Sequence, residues 1–285
     1  MEIGIGLPGH ALWSDGRQFV EWARRAEARG FSSVAVSDRL LWSTPEPLTV
    51  LSAVAAATHR IRLVTSVLLA PLHTNHLLFA KSILTLDHIA GPHRLQLGLA
   101  AGFRQDDFTT SGVEYTRRGA QLDALVGVLH DAFNDRAGIN LPPATPGGPP
   151  LFFGGTSAAS IRRVATRGTG WLAGTASVKD LIEFVPRLSD AWTAHGRVDS
   201  PRVVTAAMFA IGPDAKEAVR RAIGPYYAFA GEEWAQYGID SALTSPDQIT
   251  AAVAEFAQNG CDELILTGNN TDPGQVDLLA DALGW

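Results

Sequence analysis

The residues able to do chemistry fall into a few short constellations spread along 285 residues. Gly154-Gly155-Thr156-Ser157 sets two glycines, which admit a ligand close to the backbone, beside two hydroxyl donors. A helical pattern carrying Ser160 and Arg162-Arg163 follows. A helix N-terminus offers free N–H groups and a partial positive charge, so this run suits a phosphate. The plainer alternative is a tight turn with a Ser/Thr cap and no ligand. Asp38-Arg39 follows the apolar alternation of Val34 and Val36. Its carboxyl could bond a ring nitrogen or carbonyl of a heterocycle, and its guanidinium could hold an anion. Taken without context, the pair reads instead as a salt bridge at a rim. Ser66-Val67 lies in the aliphatic run 63–69, where a serine ordinarily bonds a neighbouring backbone group. His10, just past the first β-rich run, is a candidate proton carrier set against a structural role. Neither His10 nor His73, His76, His88 and His93 shows a ligand spacing such as H-E-x-x-H, so no metal centre is expected. No G-x-S-x-G elbow occurs either. Trp42 and Trp171 fall just past strand ends, where either could wall a planar cofactor; most other tryptophans lie in helical patterns and read as packing.

Positioning such groups requires a frame, and the chain supplies one by alternating β-rich runs with helical patterns, the mark of βα units and a parallel sheet. Eight runs qualify as strands: 2–7, 33–37, 61–69, 95–99, 151–153, 170–172, 202–211 and 263–267. Between them, Phe19, Trp22, Ala23 and Ala26, then Leu48, Leu51, Val54 and Ala55, then Leu122, Leu125, Val126 and Leu129 each trace one apolar helical face. Ser14-Asp15, Ser157, Pro213-Asp214 and Ser245-Pro246-Asp247 mark helix starts; Gly30, Gly91 and Gly260 mark stops. A doubly wound open sheet normally has fewer strands and opens on a glycine-rich dinucleotide turn, whereas Leu7-Pro8-Gly9-His10 follows the first strand here. The expectation is therefore one α/β domain over 1–285, a (β/α)8 TIM barrel with its site at the C-terminal strand ends. The Pro- and Gly-dense stretch 138–150 reads as an irregular connection within that domain.

Composition narrows the function class. With 46% apolar and 18% charged residues the chain can bury a large core without staples. A formal net charge of -6 disfavours nucleic-acid and anionic-membrane partners and favours a small-molecule substrate. The lone Cys261 reads as a buried inert thiol, which fits a reducing cytoplasm. No basic n-region precedes the first strand, and no apolar run is long enough to span a bilayer.

Several stretches together resemble the luciferase-like monooxygenase family, including its branch that uses coenzyme F420. These are Gly30 to Asp38, Glu46 to Thr49, Ala55 to Leu63, Ala80-Lys81, Thr85 to Asp87, Arg94 to Leu99, Gly154-Gly155, Arg162-Arg163 and Gly170-Trp171. The resemblance covers nearly the whole chain. It implies a reduced deazaflavin or flavin across the barrel mouth, coenzyme F420 in first place and FMN as the alternative. The phosphate would lie near Gly154, Gly155, Thr156 and Ser157. It also implies a bulge with a non-proline cis peptide at Ser66-Val67, and a ring bounded by Asp38, Ser66, Val67, Leu68, Ala101, Gly102 and Trp171. Asp38, Arg39 and His10 are the candidate catalytic residues. Many deazaflavin-dependent relatives carry Asp-His where Asp38-Arg39 stands, and the sugar-phosphate dehydrogenases of the family have Gly-Glu in place of Gly102-Phe103. Arginine stays charged at working pH and is no base. A sugar-phosphate substrate is thus disfavoured, and an acid/base role falls to His10, Glu46 or Asp106. The short segment before strand five implies an open mouth. The family usually forms homodimers, for which Leu77-Leu78-Phe79 and Ile83-Leu84 could supply a surface, although core packing explains them equally. A non-catalytic flavin-binding relative stays open as a second class. A barrel lyase or isomerase with a Schiff-base lysine is the third and weakest, because Lys81, Lys179 and Lys216 all fall on helical segments.

Overall fold

The computed structural model describes residues 1–13 and 15–285. Its strands are β1 (Glu2–Gly6), β2 (Ser33–Val36), β3 (Arg62–Leu69), β4 (Leu95–Ala100), β5 (Leu151–Phe153), β6 (Gly170–Thr175), β7 (Arg202–Phe209) and β8 (Glu263–Gly268). They pair in parallel in sequence order, and β8 closes onto β1. The helices are α1 (Arg17–Arg29), α2 (Pro47–Ala57), α3 (His76–Ala90), α4 (Gln105–Thr110), α5 (Arg118–Phe133), α6 (Ala158–Arg167), α7 (Val178–Ala194), α8 (Ala215–Tyr227), α9 (Glu232–Asp240), α10 (Pro246–Gln258) and α11 (Gly274–Ala282). The expected (β/α)8 barrel is therefore what the chain forms. Strand six runs three residues beyond the expected 170–172, to Thr175; the intervening Ala173 and Gly174 have little β propensity and hid the extension. Strand seven stops at Phe209, two residues short of the expected end.

Helix ends follow local chemistry at most of the expected places. Ser157 and Ser245 cap α6 and α10 by accepting the N–H of Ser160 and Gln248, and Gly30 ends α1 in the left-handed region. The Pro213-Asp214 start holds, with Asp214 at the N-cap of α8, but the expected capping does not: the Asp214 side chain makes no cap bond. At the first helix, Asp15 accepts the Arg17 N–H, and Ser14 lies outside the described residues.

Two apolar layers hold the barrel. The outer one packs strands against helices and contains Trp22, Leu51, Leu84, Leu125 and Trp192. The inner one is drawn from strands alone: Ala35, Val64, Phe152, Leu172, Val204, Ala206 and Ile265. Cys261 is buried, and burial pushes its thiol up to about 11, so it stays protonated and inert. At the N-terminal ends of the strands, fully buried Glu263 accepts Ser33 Oγ at 2.6 Å and Ser32 Oγ at 2.7 Å. It also pairs with Arg62 at 3.2 Å and Arg202 at 2.7 Å. That network closes one end of the barrel, which leaves the other end for a ligand.

Gly98 shows how tightly the interior is filled. A Cβ there would stand 2.2 Å from the Thr65 carbonyl oxygen and 2.9 Å from Leu172 Cδ1. The obstacle is backbone, so repacking of side chains does not relieve it. Gly98→Ala is expected to lower stability by about 3 kcal/mol, measured by urea unfolding. A loss below about 1 kcal/mol would mean that β3 can shift at this point.

Among the residues expected to offer a dimer surface, Phe79, Ile83 and Leu84 are buried in the core. Only Leu77 and Leu78 are exposed, at 51% and 62%, beside a groove between α2 and α3. Among the described residues, no helix is long and apolar enough to cross a membrane.

Candidate active site

A cavity of about 590 Å³ opens at the C-terminal strand ends, and all eight strands or the loops just past them line it. Its volume lies in the range usual for small-molecule sites, roughly 300–1,000 Å³. Of the sequence-predicted residues, His10, Asp38, Arg39, Ser66, Val67, Ala101, Gly102, Gly154, Gly155, Thr156 and Ser157 line it. Leu68 and Trp171 do not. In a barrel strand successive side chains alternate between interior and helix layer. Leu68 is fully buried in the outer layer, while Val67 packs against the inner one. Trp171 also belongs to the outer layer, tilted onto Phe184 with ring centroids 4.1 Å apart. Its Nε1 donates to the Gly155 carbonyl at 3.0 Å, so it braces the Gly154–Ser157 turn from behind instead of walling a ring. Trp42 likewise stands behind the lining, donating to the His10 carbonyl at 3.1 Å.

Strand β3 shifts register on β4 between Thr65 and Leu68, and the Ser66-Val67 peptide within that bulge is cis. The bulge brings Val67 towards β5: a Cβ on Gly154 would meet Val67 Cγ1 at 3.8 Å and Ala100 Cβ at 3.4 Å. Gly155 has φ +89°, a conformation that favours glycine, and a Cβ there would lie 2.8 Å from Ser160 Oγ. Ser157 Oγ accepts the Ser160 N–H at 3.1 Å and lies 3.0 Å from Ser160 Oγ. The turn thus collects hydroxyls at the N-terminus of α6, whose other first-turn N–H groups have no partner inside the helix.

Asp38 Oδ2 accepts the Leu69 N–H at 2.8 Å, tying the end of β2 to β3. Burial pushes the Asp38 carboxyl up to about 6, against the pull of that N–H, and the nearby Glu46 carboxylate adds to the rise. His10 is buried, and burial holds its pKa down at about 4 although Asn269 sits beside it; among the described residues its Nδ1 has no hydrogen-bond partner. It is neutral at pH 7.

Arg39 is the main surprise among the predicted residues. Its side chain is 3% exposed and pairs with Asp107, which is 1% exposed, while Asp106 approaches at 3.3 Å. The plain reading of Asp38-Arg39 holds for the arginine: it is a buried ion pair. Two of the alternative proton carriers, Glu46 and Asp106, are engaged outside the centre of the cavity. Glu46 caps α2, accepting the N–H of Leu48 at 3.1 Å and Thr49 at 2.7 Å. Asp106 is held below the usual carboxylate range by its hydrogen bond to Arg104. Lys81, Lys179 and Lys216 lie on α3, α7 and α8, away from the lining.

Sequence reasoning missed the aromatic side of the cavity. Tyr226 and Tyr227 end α8, Phe229 follows in a 3-10 turn, and Trp234 lies on α9; all line the mouth with Phe103 and Arg104. The connection after β7 therefore covers what a short segment before β5 was expected to leave open. Helical spacing gave no warning, because Tyr226, Tyr227, Phe229 and Trp234 come from the end of α8, a 3-10 turn and α9, far along the chain from the other site residues.

The comparisons with known proteins follow the same lines as the geometry. A family model described as luciferase-like monooxygenase matches residues 1–268. An uncharacterized protein of Mycobacterium tuberculosis is 28% identical over 194 residues, 64% of this chain and 68% of that protein. The F420-dependent glucose-6-phosphate dehydrogenase of Kribbella flavida is 33% identical over 140 residues, 46% of this chain and 42% of the relative. Among solved structures, monooxygenase RslO1 from Streptomyces bottropensis superposes with a TM-score of 0.82 at 22% identity, over 99% of this chain and 98% of that one. An F420-dependent secondary alcohol dehydrogenase in complex with an F420-acetone adduct does so at 0.81 and 18%, with the same coverage. At such identities the structural matches show a shared fold.

Proposed function

Because the chain belongs to the luciferase-like monooxygenase family, whose members are oxidoreductases or monooxygenases, we propose that it uses reduced coenzyme F420 to transfer a hydride to a small organic substrate. One observation carries the reading: a single cavity joins a half-buried protonatable carboxyl, Asp38, to an anion cradle at Gly154–Ser157, with the β3 bulge between them. The residues fit such a group. The left-handed Gly155 and the hydroxyls of Ser157 and Ser160 form a place for a phosphate. Arg118 lines the same cavity, donating to the carbonyls of Gly102 and Tyr115 and lying over the Tyr115 ring at 3.8 Å; among the described residues no carboxylate pairs with it, so its charge is available to an anion. The Kribbella flavida relative, named for its dependence on F420, supports the deazaflavin over FMN.

When bound, the deazaflavin supplies a hydride at a ring carbon. The rest is the protein's part. With Oδ2 taken by the Leu69 N–H, Asp38 holds its proton on Oδ1, from where it can bond the ring edge or pass the proton to substrate oxygen. Val67 and Leu172 supply an apolar floor, and His10 stays neutral above it, so water is disfavoured where hydride moves.

The test is titration of the purified protein with F420 and with FMN, repeated on Ser157→Asp. Aspartate caps a helix as well as serine, so thermal stability should hold. A carboxylate in the cradle repels phosphate, so F420 affinity should fall about a hundredfold. Equal F420 affinity in Ser157→Asp would put the phosphate elsewhere; tight FMN binding with none for F420 would overturn the choice of cofactor.

A further inference from the structure

The cavity has two chemically distinct halves. On the β4–β5 side lie the glycine turn, the α6 N-terminus and Arg118. That side is tied together by Arg163 of α6, which donates to the Gly119 carbonyl next to Arg118 at 3.0 Å. Across the mouth, the loops after β1 and β7 bring ring faces together instead, joined at the rim by Phe103 from the loop after β4. Tyr226 stands edge-on to His10 at 4.1 Å between centroids and to Tyr227 at 4.9 Å, and Phe229 lies 5.6 Å from Phe103. Phe103, Phe229 and Trp234 are 67%, 41% and 55% exposed, a concentration of uncovered aromatic surface at the rim of a cavity. Isolated exposed apolar residues need no explanation, but a contiguous patch bordering a pocket marks a binding surface.

The charges on this second half are already matched. Arg39 is paired with Asp107 and Arg104 with Asp106, and both guanidinium groups lie over the Phe229 ring, at 5.8 and 3.8 Å. A phosphate arriving here would have to displace a carboxylate from a guanidinium, exchanging one ion pair for another at the cost of desolvating the anion. Apart from Asp38, which the proposed function engages with the cofactor ring and the reacting oxygen, the titratable groups left to meet a ligand here are uncharged near pH 7: the His10 imidazole, and the two tyrosine hydroxyls, whose burial raises their pKa. Such a chamber selects ring faces and one or two neutral hydrogen-bonding atoms.

We infer that the substrate is an uncharged molecule built on an aromatic or alicyclic ring, held by Tyr226, Tyr227 and Phe229, and not a phosphorylated sugar. The inference rests on the reading that the glycine-turn half holds the cofactor, which leaves the aromatic half to the substrate. Such a substrate differs from the sugar phosphate for which the Kribbella flavida relative is named.

Calorimetric titration of the protein, with and without oxidised F420, against 2-naphthaldehyde and against glucose 6-phosphate tests it. Naphthaldehyde should bind and the sugar phosphate should give no heat of binding. Phe229→Ala and Tyr226→Ala should each weaken naphthaldehyde about tenfold, the worth of one good aromatic contact, while Tyr226→Phe keeps the affinity. Phe229 is at the surface, so its variant folds whatever the fate of the Tyr226 one. Glucose 6-phosphate binding as tightly as naphthaldehyde, or naphthaldehyde binding that ignores Phe229→Ala, overturns the inference. Bound F420 with no naphthaldehyde binding sinks the substrate class and leaves the cofactor reading standing. Ring-specific naphthaldehyde binding with no F420 binding supports the substrate class and sinks the cofactor.

Discussion

Asp38→Asn is expected to cut turnover about a hundredfold and at the same time to make the protein more stable at pH 8. The loss follows from removing a positioned proton donor, whose contribution is typically 10²–10⁴-fold. The gain follows from the burial that suits Asp38 to that task. Its folded pKa, about 6, lies above the ordinary 3.8. The fold therefore disfavours the ionised form: the stability associated with this group is complete below about pH 4 and is lost as pH rises through 6. Asparagine carries no charge to desolvate, and its side-chain oxygen still accepts the Leu69 N–H, so the variant should gain up to about 3 kcal/mol above pH 6. The two pH profiles then differ in a definite way. Wild-type turnover should fall as pH rises through about 6, whereas the residual activity of Asp38→Asn should be flat there. A variant with the wild-type pH limb would move the proton donor to another group, and one destabilised at pH 8 would mean that Asp38 is not buried as described. Activity and stability pulling in opposite directions is what a functional site on a stable scaffold produces.

The frame was legible in the sequence because each level of signal agreed with the next: β-rich runs, helical faces and caps fell in the order of a barrel. What sequence could not resolve was the facing of residues within a strand. Parallel barrel strands are buried on both sides and read as continuous apolar runs, so Val67 and Leu68 look alike although one lines the cavity and the other packs under a helix. Trp171 was misplaced for the same reason. The glycine turn and Asp38 were readable because their chemistry is local. The partner of Arg39 was not, because the carboxylate that neutralises this arginine lies 68 residues away and no spacing rule connects them. The aromatic half stayed hidden behind a similar gap: His10 and Tyr226 touch across more than two hundred residues, and only barrel closure brings them together.

The buried pair of Arg39 and Asp107 carries the second large effect and also decides what Arg39 is for. Asp107→Leu leaves a guanidinium 3% exposed facing the half-exposed Asp106, 3.3 Å away and already shared with Arg104, and should cost about 3 kcal/mol in urea unfolding. Arg39→Met should cost less, since Asp107 retains the Leu41 N–H at 3.1 Å and the N-terminal end of α4. The double variant Arg39→Met/Asp107→Leu should recover most of the loss, because an apolar pair of similar volume needs no desolvated charge. It should still fall about 1 kcal/mol short through the Leu41 N–H left without its carboxylate. If the pair only anchors α4 and the loop after β2 around the cavity, this double variant keeps most of the wild-type turnover and its F420 affinity. If Arg39 touches the reacting atoms, it will be folded, will bind cofactor and will be inactive. The arrangement in the structure predicts the first result, since a guanidinium committed to a fully buried carboxylate has little left to offer a substrate.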